Sequence, residues 1–358
     1  MGKKVLLGMS GGVDSSVAAK LLLDMGYEVT GVTLKLFSDD DIVLCDRATR
    51  TCCSLSDVED ARSVAFKLGI DHFVFNFKDE FKEKVMEHFS KSYIEGKTPN
   101  PCIECNRHIK FDKMLRRAKE LGFDYIATGH YASIKFDEDL KRYLLVRSND
   151  RTKDQTYVLY SLTQEQLAHT IFPLSGLEKS QVRKIAEECG LVNSRKPDSQ
   201  DICFVPDGDY VEFIEKNERN LPPEGDFVDM SGNVLGRHKG IIHYTIGQRR
   251  GLGITFNKPV YVIKKDTASN TVVLGDEKDL FSKTIVAGDV NLISVEKLEK
   301  PMRVTAKARY TQKEQPATIE ALGEKILVTF DEPQRALTPG QAVVFYDGDV
   351  VVGGGTIE

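Results

Sequence analysis

The chain has 358 residues, more than one average domain, so two or three domains are expected. With 41% hydrophobic and 29% charged residues it fits a globular protein, and no apolar run approaches the roughly 18 residues of a membrane span. The formal net charge of −5 argues against a strongly basic nucleic-acid binder, although the stretch 97–119 carries seven Lys and Arg against two acids. An odd number of cysteines, seven, favours reduced thiols in the cytoplasm over a disulfide framework.

Up to about residue 200, apolar runs alternate with helical patterns. Strands are predicted at "KVLLG", "EVTGVTL", "DHFVFNF" and "DYIATGH", and helices at "DSSVAAKLLLDMG" and "SDVEDARSVAFKLG". This alternation predicts a parallel sheet covered on both faces, with ligands at the carboxyl ends of its strands. After "NLPPEG" the segments have period 2 and glycine or aspartate turns, which predicts a mainly β second half with a barrel.

The first strand runs into "GMSGGVDSSVA", residues 8–18. A glycine-rich turn before a helix presents backbone N–H groups and the positive end of the helix dipole, which suits a phosphate group. The simpler alternative is a tight turn in which Ser10 or Asp14 caps the helix. No Walker A motif is present, but Ser10-Gly11-Gly12-Val13-Asp14-Ser15 resembles the phosphate loop of the ATP pyrophosphatase superfamily. That resemblance implies ATP as substrate and Asp14 as a ligand of Mg²⁺.

The cysteines suggest which chemistry follows. Cys102 and Cys105 lie in "TPNPCIECNRHIKF", with Cys105 predicted at the start of a helix near Arg107 and Lys110, where a thiolate is favoured. Cys203 lies in the polar segment "RKPDSQDICFV". The remaining polar-stretch cysteines, Cys45, Cys52 and Cys53, give no clear role.

Longer motifs extend the resemblance over the whole chain. "PNPCIECNRHIKF", "ATGHYA", "KDQTYVLYSL", "KPDSQDICFVP", "GIIHYTIGQRRGLG" and "RALTPGQAVVFYDGDVVVGGGTI" resemble the tRNA-specific 2-thiouridylase family. The resemblance implies an α/β fold: an N-terminal parallel-sheet ATP-binding catalytic domain of the adenine-nucleotide alpha hydrolase-like (PP-loop) type over 1–205, a small central tRNA-binding α/β domain over 206–282, and a C-terminal β-barrel over 283–358. It also implies that ATP adenylates the C2 oxygen of the wobble uridine in tRNA, that a cysteine persulfide supplies sulfur, and that 2-thiouridine, AMP and pyrophosphate are formed.

The same resemblance assigns roles to residues. Cys203 would carry the persulfide, Cys105 would be the partner nucleophile, and the two would resolve as a disulfide. The residues implied to bind ATP are Gly8, Met9, Ser10, Gly11, Gly12, Val13, Asp14, Ser15, Leu34 and Gly129. Those implied to contact tRNA are Asn100, Pro101, Cys102, His130, Lys153, Asp154, Gln155, Arg309, Tyr310 and Gln341. The expected partners are the anticodon loop of tRNA and a persulfide donor protein, with no DNA and no membrane.

Three alternatives stay open at this point. Some family members have Asp where this chain has Cys102, so Cys102, Cys105 and Cys203 could instead hold a [4Fe–4S] cluster for the same thiolation. A ligase that passes the adenylate to an amine would leave Cys105 and Cys203 without a role. A noncatalytic tRNA-binding protein would retain the phosphate loop only as a vestige.

Overall fold

The computed structural model describes residues 2–38, 55–198, 202–206 and 208–358. Cys45, Cys52 and Cys53 therefore lie outside the described residues. Within the described ranges, no helix is long and apolar enough to cross a membrane.

The strands are numbered in chain order. They are β1 (Lys4–Gly8), β2 (Glu28–Lys35), β3 (His72–Asn76), β4 (Tyr125–Ala127), β5 (Ala132–Asp137), β6 (Arg142–Arg147), β7 (Thr170–Ile171), β8 (Gly225–Val228), β9 (Val234–His238), β10 (Tyr261–Asp266), β11 (Thr271–Gly275), β12 (Phe281–Leu292), β13 (Met302–Lys307), β14 (Gln315–Leu322), β15 (Lys325–Arg335), β16 (Ala342–Asp347) and β17 (Val350–Ile357).

The helices are numbered in the same way. They are α1 (Val13–Asp24), α2 (Leu55–Leu68), α3 (78–94), α4 (101–120), α5 (Gln164–Ala168), α6 (Lys179–Glu188) and α7 (Tyr210–Asn217). Two of them contain π-helical turns, α3 at Lys82–Glu87 and α4 at Cys105–Lys113. Short 3₁₀ turns lie at Thr156–Val158, Ile241–His243 and Glu277–Leu280.

The N-terminal sheet is parallel, with strand order β3-β2-β1-β4-β7. Side chains alternate across it: Val5 and Leu7 of β1 pack against α1, α2 and α6, while Leu6 packs on the opposite side against α3 and α4. The four strands and two helices predicted in this half are all present, and the sheet is covered on both faces as predicted.

The central part of the chain forms a four-stranded sheet of order β10-β11-β8-β9, preceded by α7. Phe213 and Ile214 of α7 are buried in the cluster that also contains Phe81 and Phe89 of α3. Tyr210 stacks on Tyr93 with ring centroids 4.4 Å apart. Through these contacts α7, the helix that precedes the central sheet, packs against the N-terminal core.

The C-terminal strands close into a six-stranded barrel in the order β12-β15-β14-β13-β16-β17, with β12 and β17 paired. Alternate residues point inward, so the interior is filled by side chains such as Ile285, Val304, Ile319 and Val328. The barrel predicted from period-2 patterning is confirmed. The sequence did not predict that the β5–β6 hairpin, which lies within the N-terminal half, joins the barrel through Val146 opposite Val350.

Candidate active site

The turn between β1 and α1 has the geometry of a phosphate loop. Gly12 is the N-cap residue of α1 and has no side-chain capping hydrogen bond, so the alternative that Ser10 or Asp14 caps the helix is wrong. The Ser15 and Ser16 hydroxyls instead donate to the Gly12 carbonyl, over 3.1 and 3.0 Å. The Ser10 backbone N–H donates to the Ser15 hydroxyl over 3.3 Å. The N–H groups of the first turn of α1 have no acceptor within the helix, as at any helix start, and can bind an anion.

Two glycines allow close backbone approaches around the loop. Gly11 has φ +70°, and a Cβ there would lie 2.4 Å from the Asp57 carbonyl oxygen at the start of α2. A Cβ on Gly129, which follows β4, would lie 2.8 Å from the Ser15 nitrogen. The loop is thus packed against two neighbouring backbone segments, and only glycine at these two positions leaves room for that packing.

The buried side chain of Asn193 holds the loop from a third side. Its Nδ2 donates to the Gly11 carbonyl over 3.0 Å and to the Ser16 hydroxyl over 2.8 Å. Asn193 lies in a stretch without a recognisable motif, and sequence reasoning missed it.

Asp14 faces a network of charged groups. Lys179 Nζ donates to both of its carboxylate oxygens, over 2.7 and 2.8 Å, and the Tyr131 hydroxyl donates to one of them over 2.8 Å. Lys179 also pairs with Asp198 over 2.8 Å, and Asp198 in turn accepts from Lys153 over 2.9 Å. The network therefore links the phosphate loop to Lys153, a predicted tRNA contact.

The surroundings of this network shift the pKa values of Tyr131, Lys153 and Asp198. Burial, followed by the neighbouring Asp14 carboxylate, raises the pKa of the Tyr131 hydroxyl well above its usual range. Burial acts to raise the pKa of Asp198, but hydrogen bonds from Lys179 and Lys153 lower it. The hydrogen bond to Asp198 raises the pKa of Lys153. At neutral pH Tyr131 is a neutral donor and the Asp198–Lys153 pair is ionised.

Tyr131, Lys179 and Asp198 were not predicted as site residues from the sequence. Tyr131 lies inside the motif "ATGHYA" and Asp198 inside "KPDSQDICFVP". Membership of these motifs could have indicated a role for both residues in the site. Lys179 opens α6 in a stretch with no such signal.

A cavity of about 670 Å³ opens over the loop. Among the predicted ATP-binding residues, it is lined by Gly8, Met9, Ser10, Gly12, Val13, Asp14, Ser15, Leu34 and Gly129. Gly11 is turned toward Asp57 and is not part of the lining. Apolar side chains from neighbouring elements complete one wall: Val32, Leu36 and Met114.

The same cavity is lined by four predicted tRNA contacts, His130, Lys153, Gln155 and Tyr310. His130 is buried and hydrogen-bonded to the Thr128 hydroxyl over 2.7 Å, and burial, with a smaller contribution from Lys110, lowers its pKa well below the usual range. The imidazole is therefore uncharged at neutral pH. Tyr310 comes from the barrel, is 41% exposed and meets the ring of Tyr157 edge-on at 5.8 Å.

The helix that carries two of the cysteines begins earlier than predicted. Asn100 is its N-cap, its Oδ1 accepting from the Cys102 backbone nitrogen over 3.1 Å, and Pro101 is the first helical residue. Cys102 therefore lies in the first turn and is exposed, while Cys105 lies in the second turn and is buried. The prediction that Cys105 starts the helix is wrong, since Pro101 and the Asn100 cap set the start one turn earlier.

Cys203 is half-buried and packs against the hydrophobic cluster that contains Cys105. The neighbouring Phe204 anchors it, with its ring 5.3 Å from Phe89 and 5.0 Å from Phe213. Among the described residues, no group of three or more His, Cys, Asp or Glu side chains is arranged to hold a metal ion.

Three further predicted tRNA contacts make hydrogen bonds within the protein. Asp154 accepts from the Ser148 nitrogen and the Thr156 hydroxyl. Arg309 donates to the Ala336 carbonyl over 2.5 Å and the Thr338 hydroxyl over 2.8 Å. Gln341 donates to the Thr98 carbonyl over 2.6 Å.

A phosphate loop at the carboxyl edge of a parallel sheet, with an acid–lysine network over a shared cavity, defines a nucleotide-binding α/β protein of the PP-loop class. Family models match in three consecutive parts: the tRNA methyl transferase HUP domain over residues 3–207, the tRNA methyl transferase PRC-barrel domain over 212–276, and the aminomethyltransferase beta-barrel domain over 282–357.

Two curated relatives match over essentially their whole length. The chain is 58% identical over 359 aligned positions to the tRNA-specific 2-thiouridylase MnmA of Clostridioides difficile (strain 630), covering 100% of this chain and 99% of that protein. It is 57% identical to the tRNA-specific 2-thiouridylase MnmA of Acetivibrio thermocellus, covering 99% of each. The chain belongs to the tRNA-specific 2-thiouridylase family.

Proposed function

We propose that this chain is an ATP-dependent sulfurtransferase that converts the wobble uridine of tRNA to 2-thiouridine, releasing AMP and pyrophosphate. One observation carries the proposal beyond family membership: a single cavity is lined both by the phosphate loop and by Tyr310, Lys153 and His130. A nucleotide bound at the loop and a base entering beside Tyr310 would meet in that cavity.

The cavity suits ATP as the activating substrate. The triphosphate would take the N–H groups of the loop at the start of α1. The adenosine would lie beside Leu34, toward the apolar wall of Val32, Leu36 and Met114. Lys153 lines this cavity and supplies positive charge there, while Lys179 lies next to it, paired with Asp14.

Mg²⁺ prefers hard oxygen ligands, and the Asp14 carboxylate is such a ligand at the edge of the loop. When bound with ATP, Mg²⁺ would neutralise charge on the phosphates. Lys179 and Tyr131 now occupy the carboxylate oxygens, so Asp14 must exchange these partners to take a metal ion.

The base would be presented by the barrel. The anticodon loop is single-stranded, so extruding one base from it is inexpensive, and an aromatic face is a suitable platform for the base. Tyr310 offers a partly exposed ring, and Lys307 lies 5.3 Å from its centroid. Tyr310, Lys153, Gln155 and His130 are the tRNA contacts that the cavity supports. For Asn100, Pro101, Cys102, Asp154, Arg309 and Gln341, tRNA contact stays a prediction.

The reaction proceeds in two parts. The C2 oxygen of uridine attacks the α-phosphorus of ATP, the bond to the β-phosphate breaks, and pyrophosphate leaves while the base loses its N3 proton. The terminal sulfur of a Cys203 persulfide then attacks C2, and AMP departs with the original C2 oxygen.

At this stage the sulfur on C2 of the base is still bonded to Cys203 Sγ. The Cys105 thiolate next attacks Cys203 Sγ, the bond between Cys203 Sγ and the sulfur on the base breaks, and a Cys105–Cys203 disulfide forms. The base regains a proton as 2-thiouridine, and an external thiol reductant restores the enzyme. A persulfide-carrying donor protein would reload Cys203, and we place the reaction in the cytoplasm.

The test is a mass-spectrometric analysis of nucleosides from unmodified tRNA incubated with the protein, ATP and a persulfide donor. We expect 2-thiouridine at the wobble position, dependent on ATP, with pyrophosphate formed in equal amount. Pyrophosphate release with an amide product instead would identify a ligase. Binding of tRNA without any pyrophosphate release would identify a noncatalytic binding protein.

A further inference from the structure

Three cations converge on the carboxylate of Asp198, which lies in the wall of the cavity. Lys179 Nζ lies 2.8 Å from its Oδ1, and the Arg183 guanidinium donates to the same oxygen over 3.0 Å. Lys153 Nζ donates to Oδ2 over 2.9 Å. The side chain of Asp198 is 23% exposed, so the surrounding protein partly shields these pairs from water and strengthens them. One negative charge therefore holds three positive ones.

The position of Asp198 is fixed through its own segment of the chain. Arg183 Nη1 donates to the Ser194 carbonyl over 3.2 Å and to the Lys196 carbonyl over 3.1 Å, while its Nη2 donates to Asp198. Lys196 Nζ in turn donates to the Asp57 carboxylate over 2.6 Å. The segment before Asp198 is thus attached to both α6 and α2, which gives the carboxylate a defined place in the wall.

Lys153 lies in a turn that is attached to the start of α6. The Asp150 carboxylate accepts from the Lys179 backbone nitrogen and from the Thr152 backbone nitrogen, each over 3.0 Å. The backbone of Lys153 is therefore held beside Asp198. Its side chain is more exposed than that of Asp198 and lines the cavity. Because the lysine stem is long and flexible, its ammonium can turn from Asp198 to a phosphate group while the backbone stays in place.

Lys179 connects the Asp198 carboxylate to the phosphate loop. Its side chain is 11% exposed, and its ammonium divides its contacts between Asp198 and the two carboxylate oxygens of Asp14. Once Asp14 ligates the Mg²⁺ that accompanies ATP, Asp198 is the carboxylate of these two that remains for Lys179. A nearly buried ammonium needs an anionic partner, so Lys179 then takes up more of the charge of Asp198.

We propose that Asp198 is a positioning residue that couples the nucleotide site to the binding of tRNA. In the nucleotide-free protein, Asp198 holds Lys153 back from the tRNA backbone. When Asp14 engages Mg²⁺ and the nucleotide, Lys179 draws on Asp198, and the hold on Lys153 weakens. Lys153 then binds a tRNA phosphate, so tRNA is bound firmly when ATP is present to activate the base.

The coupling rests on the proposed function for the identity of its two ligands. Because a coupling between two binding sites is reciprocal, tRNA should tighten nucleotide binding by the same factor by which the nucleotide tightens tRNA binding.

The test measures the Kd for an unmodified tRNA, always with Mg²⁺, in the presence and absence of α,β-methylene-ATP. This analogue resists cleavage between its α and β phosphates, so no adenylation occurs. For the wild type we expect the analogue to lower the Kd by about 5- to 10-fold. The slope of log Kd against log salt should also steepen by about 0.7 to 0.9, the effect of one additional phosphate contact.

Asp198→Asn keeps the shape of the side chain and removes its charge. Lys153 is then released with or without nucleotide, so the Kd in the absence of the analogue should fall to about the wild-type value in its presence. The analogue should change the Kd of this variant by less than about twofold. Adding Lys153→Met should abolish the gain in affinity, because the released cation is gone.

Lys153→Met alone tests the other end of the network, and it decides the proposal if Asp198→Asn does not fold. The analogue should change its Kd for tRNA by less than about twofold, and an undiminished effect would overturn the proposal. In the absence of tRNA, its affinity for the analogue should equal that of the wild type. A loss of that affinity would also overturn the proposal, because it would make Lys153 a contact of the nucleotide.

Asp24→Asn is the matched control, because it makes the same change of charge on the helix that carries Asp14 and also releases a lysine, Lys20. The effect of the analogue in this variant should equal that in the wild type. If Asp198→Asn weakens tRNA binding equally with and without the analogue, the proposal is overturned and Asp198 has a structural role only.

Failure of the coupling and failure of the proposed function are distinguishable. A wild type that makes 2-thiouridine but binds tRNA equally with and without the analogue would overturn the coupling alone. If the analogue tightens tRNA binding and no 2-thiouridine is made, the proposed function fails and the coupling is supported.

Discussion

At the scale of single residues, Asp14 has both carboxylate oxygens engaged before a nucleotide arrives, by Lys179 and Tyr131. This arrangement places the Lys179 ammonium beside the phosphate loop. The residues that contact the loop from distant parts of the chain, Asn193 and Lys179, give no local sequence signal, because only the fold brings them there. The loop itself was predictable, since its glycines and hydroxyls stand together in one motif.

Asp14→Ala should abolish tRNA-dependent pyrophosphate release, because it removes the carboxylate that organises the loop's charged partners. The fold should persist, since Asp14 is a partly exposed residue outside the hydrophobic clusters. Pyrophosphate release in single turnover checks this. Asp24→Ala, on the same helix and paired with Lys20 in an exposed i,i+4 contact, is the control and should behave like wild type.

Cys105→Ser and Cys203→Ser should each eliminate 2-thiouridine formation while sparing pyrophosphate release, because neither thiol takes part in activating the base. Cys102→Ser should cost much less, since an exposed first-turn thiol would only line the approach to the base. Cys189→Ser, at the C-cap of α6, is the control.

If the three cysteines held an iron–sulfur cluster instead, all three substitutions would be equally fatal, and protein purified without oxygen would be brown. An iron-free protein that thiolates tRNA from a persulfide donor would exclude the cluster. A fully active Cys203→Ser variant would contradict both sulfur routes.

At the scale of elements, strands β1 to β4 and helices α1 and α2 were predictable because each follows a local pattern of apolar spacing, and a glycine follows shortly after each of the two helices. The β5–β6 hairpin was not, since its pairing with β17 joins residues about two hundred positions apart in sequence, and loop closure over such a distance leaves no local trace. The start of α4 differs from the prediction because the Asn100 cap and Pro101 begin the helix one turn ahead of its apolar pattern.

The hairpin is attached to the barrel by a charged pair as well as by the strand ladder. Arg147 donates to both carboxylate oxygens of Glu314, and its guanidinium lies 4.0 Å from the ring centroid of Tyr346. Glu314→Gln should lower the free energy of unfolding by about 1–3 kcal/mol, because it leaves a mostly buried guanidinium without its anion. Chemical denaturation followed by circular dichroism measures this.

Asp331→Asn is the matched control, since it breaks an exposed bidentate pair with Arg303 on the same barrel. It should cost less than about 1 kcal/mol. Equal effects of the two variants would contradict the role given to the Arg147–Glu314 pair.

At the scale of the whole molecule, the parts converge on the loop before α4, where the central sheet and the barrel both contact residues 96–98. Lys265 belongs to this junction: its Nζ donates to the Tyr244 carbonyl over 2.9 Å and lies 5.8 Å from the Tyr93 ring centroid. Burial lowers the pKa of Lys265 to about 8. Lys265 is therefore harder to protonate in the folded protein than in the unfolded chain.

This lysine gives stability a defined pH dependence. Between pH about 8 and the ordinary lysine pKa of 10.5, the unfolded chain binds more protons at Lys265 than the folded protein does. The amount by which Lys265 lowers the free energy of unfolding therefore diminishes as the pH rises through this range. Lys265→Met should raise the free energy of unfolding at pH 7 by up to about 3 kcal/mol, and this advantage should shrink above pH about 8. Lys264→Met, its exposed neighbour, should show neither effect. A pH-independent difference between Lys265→Met and wild type would contradict the assignment.

The central claim is that ATP activates the C2 oxygen of the wobble uridine in this cavity and that sulfur then displaces it. The most direct measurement uses tRNA carrying a heavy oxygen isotope at C2 of that uridine, incubated with the wild-type protein, ATP and a persulfide donor, followed by mass spectrometry of the AMP. We predict that the heavy isotope appears in AMP in equal amount to the 2-thiouridine formed, because the C2 oxygen leaves on phosphorus. Unlabelled AMP alongside 2-thiouridine, with the isotope released to water, would contradict the account.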